Sequence, residues 1–155
     1  MPKRDTPANG EITPFTWAFR IKTKPNGNFD EFKARLVVRG CLQHDERETH
    51  APVVKWATVR TVLACALQMK LKTRQMDFDN AFVQAELNEK ERICVTLTVG
   101  VHHATHNSKD VTLKLLKILH GMKEAPKLWH QKVTGGLIEM GFKRSQHDQC
   151  LFMHK

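Results

Sequence analysis

At 155 residues, 41% hydrophobic and 26% charged, the chain has material for one packed domain, which excludes wholesale disorder. Its 25 Lys and Arg against 16 Asp and Glu leave a formal net charge of +9, which favours a polyanionic partner, nucleic acid before an anionic membrane surface. No apolar run approaches the ~18–20 residues of a membrane span, no signal-peptide pattern opens the chain, and four scattered cysteines without a CxxC pair fit free thiols in a reducing, intracellular setting.

In chain order, residues 1–14 are polar and proline-bearing, and a loose end is expected there. Phe15 to Lys22 reads as a strand, Pro25-Asn26-Gly27-Asn28 as a turn, and Phe29 to Val38 as the return strand, because Asn-Gly tolerates the positive φ of hairpin turns. Residues 43–52 read as a loop. Val59, Val62, Leu63, Ala66 and Leu67 recur at helical spacing within Thr58–Lys70, with Thr58 as the expected N-cap. Arg74–Phe78 reads as a short strand, Asn80–Leu87 as one or two helical turns, Arg92–Thr98 as a strand, Gly100–Asp110 as a His-rich loop and Val111–Leu116 as a further strand. Pro126 suits a first helical turn, and Trp129, Val133, Leu137 and Met140 follow on one apolar face up to Gly141. Cys150–His154 opens another strand. Mixed elements without strict βα alternation predict an α+β fold rather than a doubly wound sheet.

Charge is uneven along the chain. Residues 1–60 carry 11 basic and 7 acidic side chains, residues 61–100 five of each, and residues 101–155 nine basic and four acidic. A neutral middle between basic flanks suits acidic groups held in a basic cleft. Three clusters could carry chemistry. In Gln75–Phe82, a carboxylate at a strand end before a tight turn could hold a hard divalent cation, which takes one or two protein oxygens and leaves the rest to phosphate and water. In a strand Asp77 and Asp79 would share a face; a turn-capping Asp77 beside a solvated Asp79 accounts for the spacing at least as well. Lys33, Arg35 and Arg39 alternate on one strand face, a grip for phosphates or an ordinary solvated stripe. His102, His103 and His106 could reach zinc only with help from Cys94, Cys150 or His154, and a solvated loop is the simpler reading.

The blocks KARLVVRG (33–40), ETHAPVVKWATVR (48–60), QMDFDNAFVQAEL (75–87), LHGMKEAPKLWH (119–130) and GFKRSQHDQCLF (141–152) resemble, in order and spacing, the reverse transcriptase domain of copia-type LTR retrotransposons. The resemblance covers roughly residues 15–155. It implies the fingers and part of the palm of a right-hand polymerase, with RNA template, DNA primer, deoxynucleoside triphosphates and Mg²⁺ as partners. By that resemblance Asp77 is the catalytic, metal-binding aspartate, and Phe78 offers a backbone carbonyl to metal. Asn80 and Ala81 turn backbone amides to the triphosphate, and Phe82 is the steric gate under the sugar. Lys33 and Arg35 close on the phosphates, while His120, Gly121, Lys123 and Pro126 belong to the block lining the nucleotide pocket and template grip.

Three positions depart from the family pattern: His120 where Tyr is usual, Ala85 where Gly is usual, and Thr98-Val99 where a Pro is usual. The family's paired aspartates follow the GF…LF block and do not occur in this sequence, so the expectation is a truncated reverse transcriptase, inactive alone. The rival reading is a non-enzymatic nucleic-acid-binding remnant that uses the same basic surface.

Overall fold

The computed structural model describes residues 11–43, 48–87, 93–96 and 112–154. The Asn26-Gly27 turn sets the first element pair. Gly27 sits at φ +83 and donates its N–H to Lys24 O (2.8 Å), while the Asn26 side-chain carbonyl accepts Asn28 N–H (3.1 Å). β1 (Glu11–Thr23) and β2 (Phe29–Val38) therefore pair antiparallel, from Phe15↔Val38 out to Thr23↔Phe29. β1 starts at Glu11, inside the end expected to be loose, because Glu11–Pro14 find a parallel partner in β3 (Ile93–Thr96). β4 (Thr112–Lys114) completes a sheet of order β2-β1-β3-β4.

Two helices accompany the sheet, α1 (Trp56–Gln68) and α2 (Ala125–Glu139). A separate ribbon pairs β5 (Lys143–Arg144) with β6 (Phe152–Met153). The fold is mixed α+β, as expected. The His-rich stretch 100–110 lies outside the described residues.

The core gathers Phe15 and Val38 from the hairpin base, Ile93 and Val95 from β3, Ala85, Leu87, Ile118 and Met122 from the connecting segments, and Ala125 from the start of α2. Residues 85–87 run beside 116–118, with Ile118 N–H on Ala85 O (3.0 Å) and Leu87 N–H on Leu116 O (3.1 Å). Beyond Phe15 and Val38 the same hairpin face continues as Trp17/Leu36, with Leu36 still packed on the core, and then leaves it through Phe19/Ala34 and Ile21/Phe32: Phe19 is 76% and Phe32 77% exposed. The opposite face carries Arg20, Lys22, Lys33 and Arg35.

Asn80–Leu87 holds one helical turn, as expected, the 3₁₀ segment Ala81–Gln84, after which the chain joins the core. Two expectations are corrected. Arg74–Phe78 is not a strand: an extended segment becomes one only with a ladder partner, and none of the described strands pairs with it. Thr58 does not cap α1, which starts two residues earlier. Asp148 performs that task from 90 residues away, accepting Lys55 N–H (3.0 Å) and Thr58 O–H (2.6 Å) on one oxygen and Cys150 N–H (2.9 Å) on the other. The apolar face of α1 forms, yet only Ala66 is buried and Leu67 is 82% exposed, so the periodicity marks a face that no described segment covers.

The end of β2 and the turn at 119–122 meet backbone to backbone. Val38 N–H donates to His120 O (2.8 Å). A Cβ on Gly121, which sits at φ +90, would overlap Val38 O, and a Cβ on Gly40 would overlap Gly121 O. Gly121→Ala should therefore destabilise by about 2–4 kcal/mol, from left-handed strain plus a forced backbone shift. Urea denaturation of the two chains measures it.

Asp148 gives a second expectation. The Thr58 hydroxyl, and then the Lys55 and Cys150 amides, hold its carboxyl below the usual range. Such a group adds stability above the unfolded-state pKa of about 3.9, and that stability is lost as pH falls through the lower folded value. Asp148→Asn should melt below the parent at neutral pH, and the gap should close under acid conditions below about pH 4. Thermal melts of both chains across that range check it.

Candidate functional site

A cleft of about 680 Å³ opens between Lys33–Leu36 of β2, residues 77–83 and Leu119-His120. Each wall follows from local sequence. In the β1–β2 register Arg20 faces Lys33 and Ala18 faces Arg35, so strand alternation puts both β2 cations on the hairpin's polar face. The Arg35 guanidinium, then the Lys22 ammonium, hold the Lys33 ammonium below its ordinary value, a sign of crowded positive charge.

The second wall is the Asp77–Asn80 stretch. Asp77 Oδ1 accepts the N–H of Phe78 (2.9 Å), and Asp79 O accepts Gln84 Nε2 (2.8 Å). Asn80 takes the left-handed conformation (φ 49, ψ 44), which its short polar side chain tolerates, and the chain turns there into the 3₁₀ segment. Two aromatic pairs clamp the ends of this stretch. Phe78 meets Trp129 of α2 edge-on at 5.2 Å between ring centroids, and Phe82 meets His120 edge-on at 5.1 Å. Asp77 and Asp79 line the same cleft although no strand sets their alternation.

His120 forms the third wall. Burial, then Arg35 and Lys33, push its imidazole below the ordinary histidine value, so the ring is neutral at pH 7.

Of the residues singled out from sequence, Lys33, Arg35, Asp77, Phe78, Asn80, Ala81, Phe82 and His120 converge on this cleft. Gly121, Lys123 and Pro126 do not line it. Gly121 makes the backbone contact with Val38. Lys123 donates its ammonium to Gln43 O (2.5 Å) and its amide N–H to Gln43 Oε1 (2.9 Å). Pro126 lies in the first turn of α2, exposed. Arg39 likewise stays out of the cleft lining, because the strand ends at Val38 and the chain turns.

Sequence reasoning passed over buried Gln43, whose Nε2 donates to Glu124 Oε2 (3.3 Å), and the pairing role of Trp129. No local signal marks Gln43, since its partners lie about eighty positions away.

Among the described residues no three His, Cys, Asp or Glu side chains come together as metal ligands. Cys94 is buried in β3, Cys150 Sγ donates to Pro52 O (3.4 Å), and His154 packs on Phe142. No helix among the described residues is long and apolar enough to cross a membrane.

Comparison with known proteins places this geometry. Residues 4–155 match the family described as reverse transcriptase (RNA-dependent DNA polymerase). The chain is 32% identical over 150 residues to the Retrovirus-related Pol polyprotein from transposon RE1 of Arabidopsis thaliana, covering 95% of the chain and 10% of that protein. It is 31% identical over 142 residues to the Pol polyprotein from transposon TNT 1-94 of Nicotiana tabacum, again 10% of its length. An uncharacterized mitochondrial protein of Arabidopsis thaliana is 33% identical over 96 residues, 60% of this chain and 56% of that one. The chain thus spans about a tenth of the Pol polyproteins it matches. No solved structure matches. With a family match across nearly all of its length and relatives from copia-type transposons, the chain belongs to the reverse transcriptase (RNA-dependent DNA polymerase) family.

Proposed function

We propose that the cleft is the deoxynucleoside triphosphate side of an RNA-directed DNA polymerase site, with the β1–β2 hairpin as fingers and the segments around Asp77 as palm. The observation that carries this reading is the convergence of Lys33 and Arg35, from one hairpin face, with Asp77 and the Phe82–His120 pair around a single cavity. Cations on one wall and a carboxylate on the other suit an anion that arrives with a metal ion.

Phosphate oxygens would be held by Lys33 and Arg35, the latter through its planar fork. Asn80 and Ala81 offer backbone N–H groups where the chain turns. Phe82 occupies the place under a sugar, and its ring is held by His120, so it would disfavour a 2′-hydroxyl.

The exposed carboxylates of Asp77 and Asp79 fit Mg²⁺, which accepts one or two protein carboxylates and completes its shell with phosphate and water. Asp77 and the Phe78 carbonyl would hold the ion, which when bound supplies charge neutralisation at the reacting phosphate. Two cations need more carboxylate than this cleft presents among the described residues. The chain alone is therefore expected not to extend a primer.

Activity is tested in a fusion of this chain to the remaining polymerase region of a transposon RE1-type relative. Asp77→Asn should cut extension by about 10²–10³-fold or more while leaving template binding nearly intact, because the metal contact that is lost stabilises charge developing in the transition state more than it supports ground-state binding. Phe82→Ala should retain part of the deoxynucleotide activity and admit more ribonucleotide. Primer-extension assays with matched nucleotide pools read both. An Asp77→Asn fusion with normal activity would refute the assignment.

The basic surface generates a further expectation. The +9 chain should bind RNA or DNA with little sequence preference. Log affinity should fall linearly with log salt, by about 0.9 for each phosphate neutralised on B-DNA. Fluorescence anisotropy at a series of salt concentrations measures the slope, and a flat line would exclude the electrostatic account.

A further inference from the structure

His120, the position in the cleft where the resemblance leads one to expect Tyr, is held at both its backbone and its ring. Its backbone carbonyl is tied to Val38 N–H at the end of β2 (2.8 Å). The edge-on contact with Phe82 (5.1 Å between centroids) fixes its side chain. The imidazole shares the cleft with Lys33 and Arg35 of β2. Across the cleft stand Asp77 and Asp79; the next charged groups along its own segment are Lys117, which is exposed, and Lys123 and Glu124, which are engaged with Gln43.

We propose that anion binding in this cleft is coupled to proton uptake by His120, so that the affinity of the chain for a triphosphate rises as pH falls. The inference rests on the reading of the cleft as a triphosphate site. With the cleft empty, burial and the two cations disfavour the imidazolium. A polyphosphate laid against Lys33 and Arg35 reverses the sign of the potential at the ring, and an anion within about 4–6 Å favours the charged form. Asp77 and Asp79 line the same cleft in both states and do not create the difference. Linkage is reciprocal: whatever raises the proton affinity of His120 strengthens anion binding by the same factor. The Tyr usual at this position would be neutral throughout the pH range in which histidine titrates.

The probe is inorganic tripolyphosphate with the 155-residue chain in EDTA. The imidazole C–H signals are followed by NMR from about pH 5 to about pH 8, a range that brackets the histidine transition. The His120 signal is assigned by its loss in His120→Gln and independently in His120→Tyr. The expected result is a His120 midpoint that rises by about one pH unit when tripolyphosphate is bound, with affinity up to tenfold tighter at the acid end than in His120→Tyr. A midpoint unmoved by bound tripolyphosphate, or an identical pH dependence in the two variants and the parent, overturns the coupling and leaves the cleft assignment standing. Absence of tripolyphosphate binding at every pH overturns both.

Discussion

Two peptide backbones touch where β2 ends, and that contact governs the candidate site. Gly40 and Gly121 lie so close that neither has room for a methyl group, and the Val38–His120 hydrogen bond lies beside them. Side chains cannot act as spacers there, so the separation between the hairpin base and the 119–122 turn is set by van der Waals radii. Lys33–Leu36 and Leu119-His120 of the cleft lining continue from those two backbones, and Phe82 packs on His120. The buried Gln43 and Glu124 and the Lys123 ammonium reinforce the same joint from behind. This is why Gly121 and Lys123, expected at the pocket, support it without lining it.

Local chemistry made the hairpin legible. Asn26-Gly27 demands a reversal, and alternation in the flanking strands assigns Lys33 and Arg35 to the polar face without tertiary information. The start of α1 was not legible, because its capping carboxylate, Asp148, arrives from the far end of the chain. Arg74–Phe78 misled for the converse reason. Its composition suits a strand, but strandedness belongs to a pair, and composition says nothing about whether a partner is present. The apolar stripe of α1 was read correctly as a helix face, but periodicity reports which face is apolar and not what covers it.

The candidate site divides along the same line. Asp77, Asn80, Ala81 and Phe82 are contiguous, so whatever places one places all, and a motif carries them together. His120 stands nearly forty residues on, and its relation to Phe82 and Arg35 comes from packing alone. The family resemblance supplied that relation where spacing could not. Gly121, Lys123 and Pro126 show its limit: neighbours in a motif share a neighbourhood, while only some of them face the cavity.

The hairpin has a mechanical consequence. It is clamped at one end, where Phe15 and Val38 enter the core with Leu36 packed beside them and Glu11–Pro14 pair with β3, and farther out Phe19 and Phe32 are exposed. At about 3.3 Å per residue it reaches roughly 26 Å beyond that clamp, with Arg35 standing only about 10 Å out. A tilt of about 10° at the base would therefore carry the tip roughly 5 Å but Arg35 less than about 2 Å. The beam behaves as a cantilever whose cationic grip sits near the fulcrum. Its far end can follow a partner of varying shape while the charges that face Asp77 hold their station.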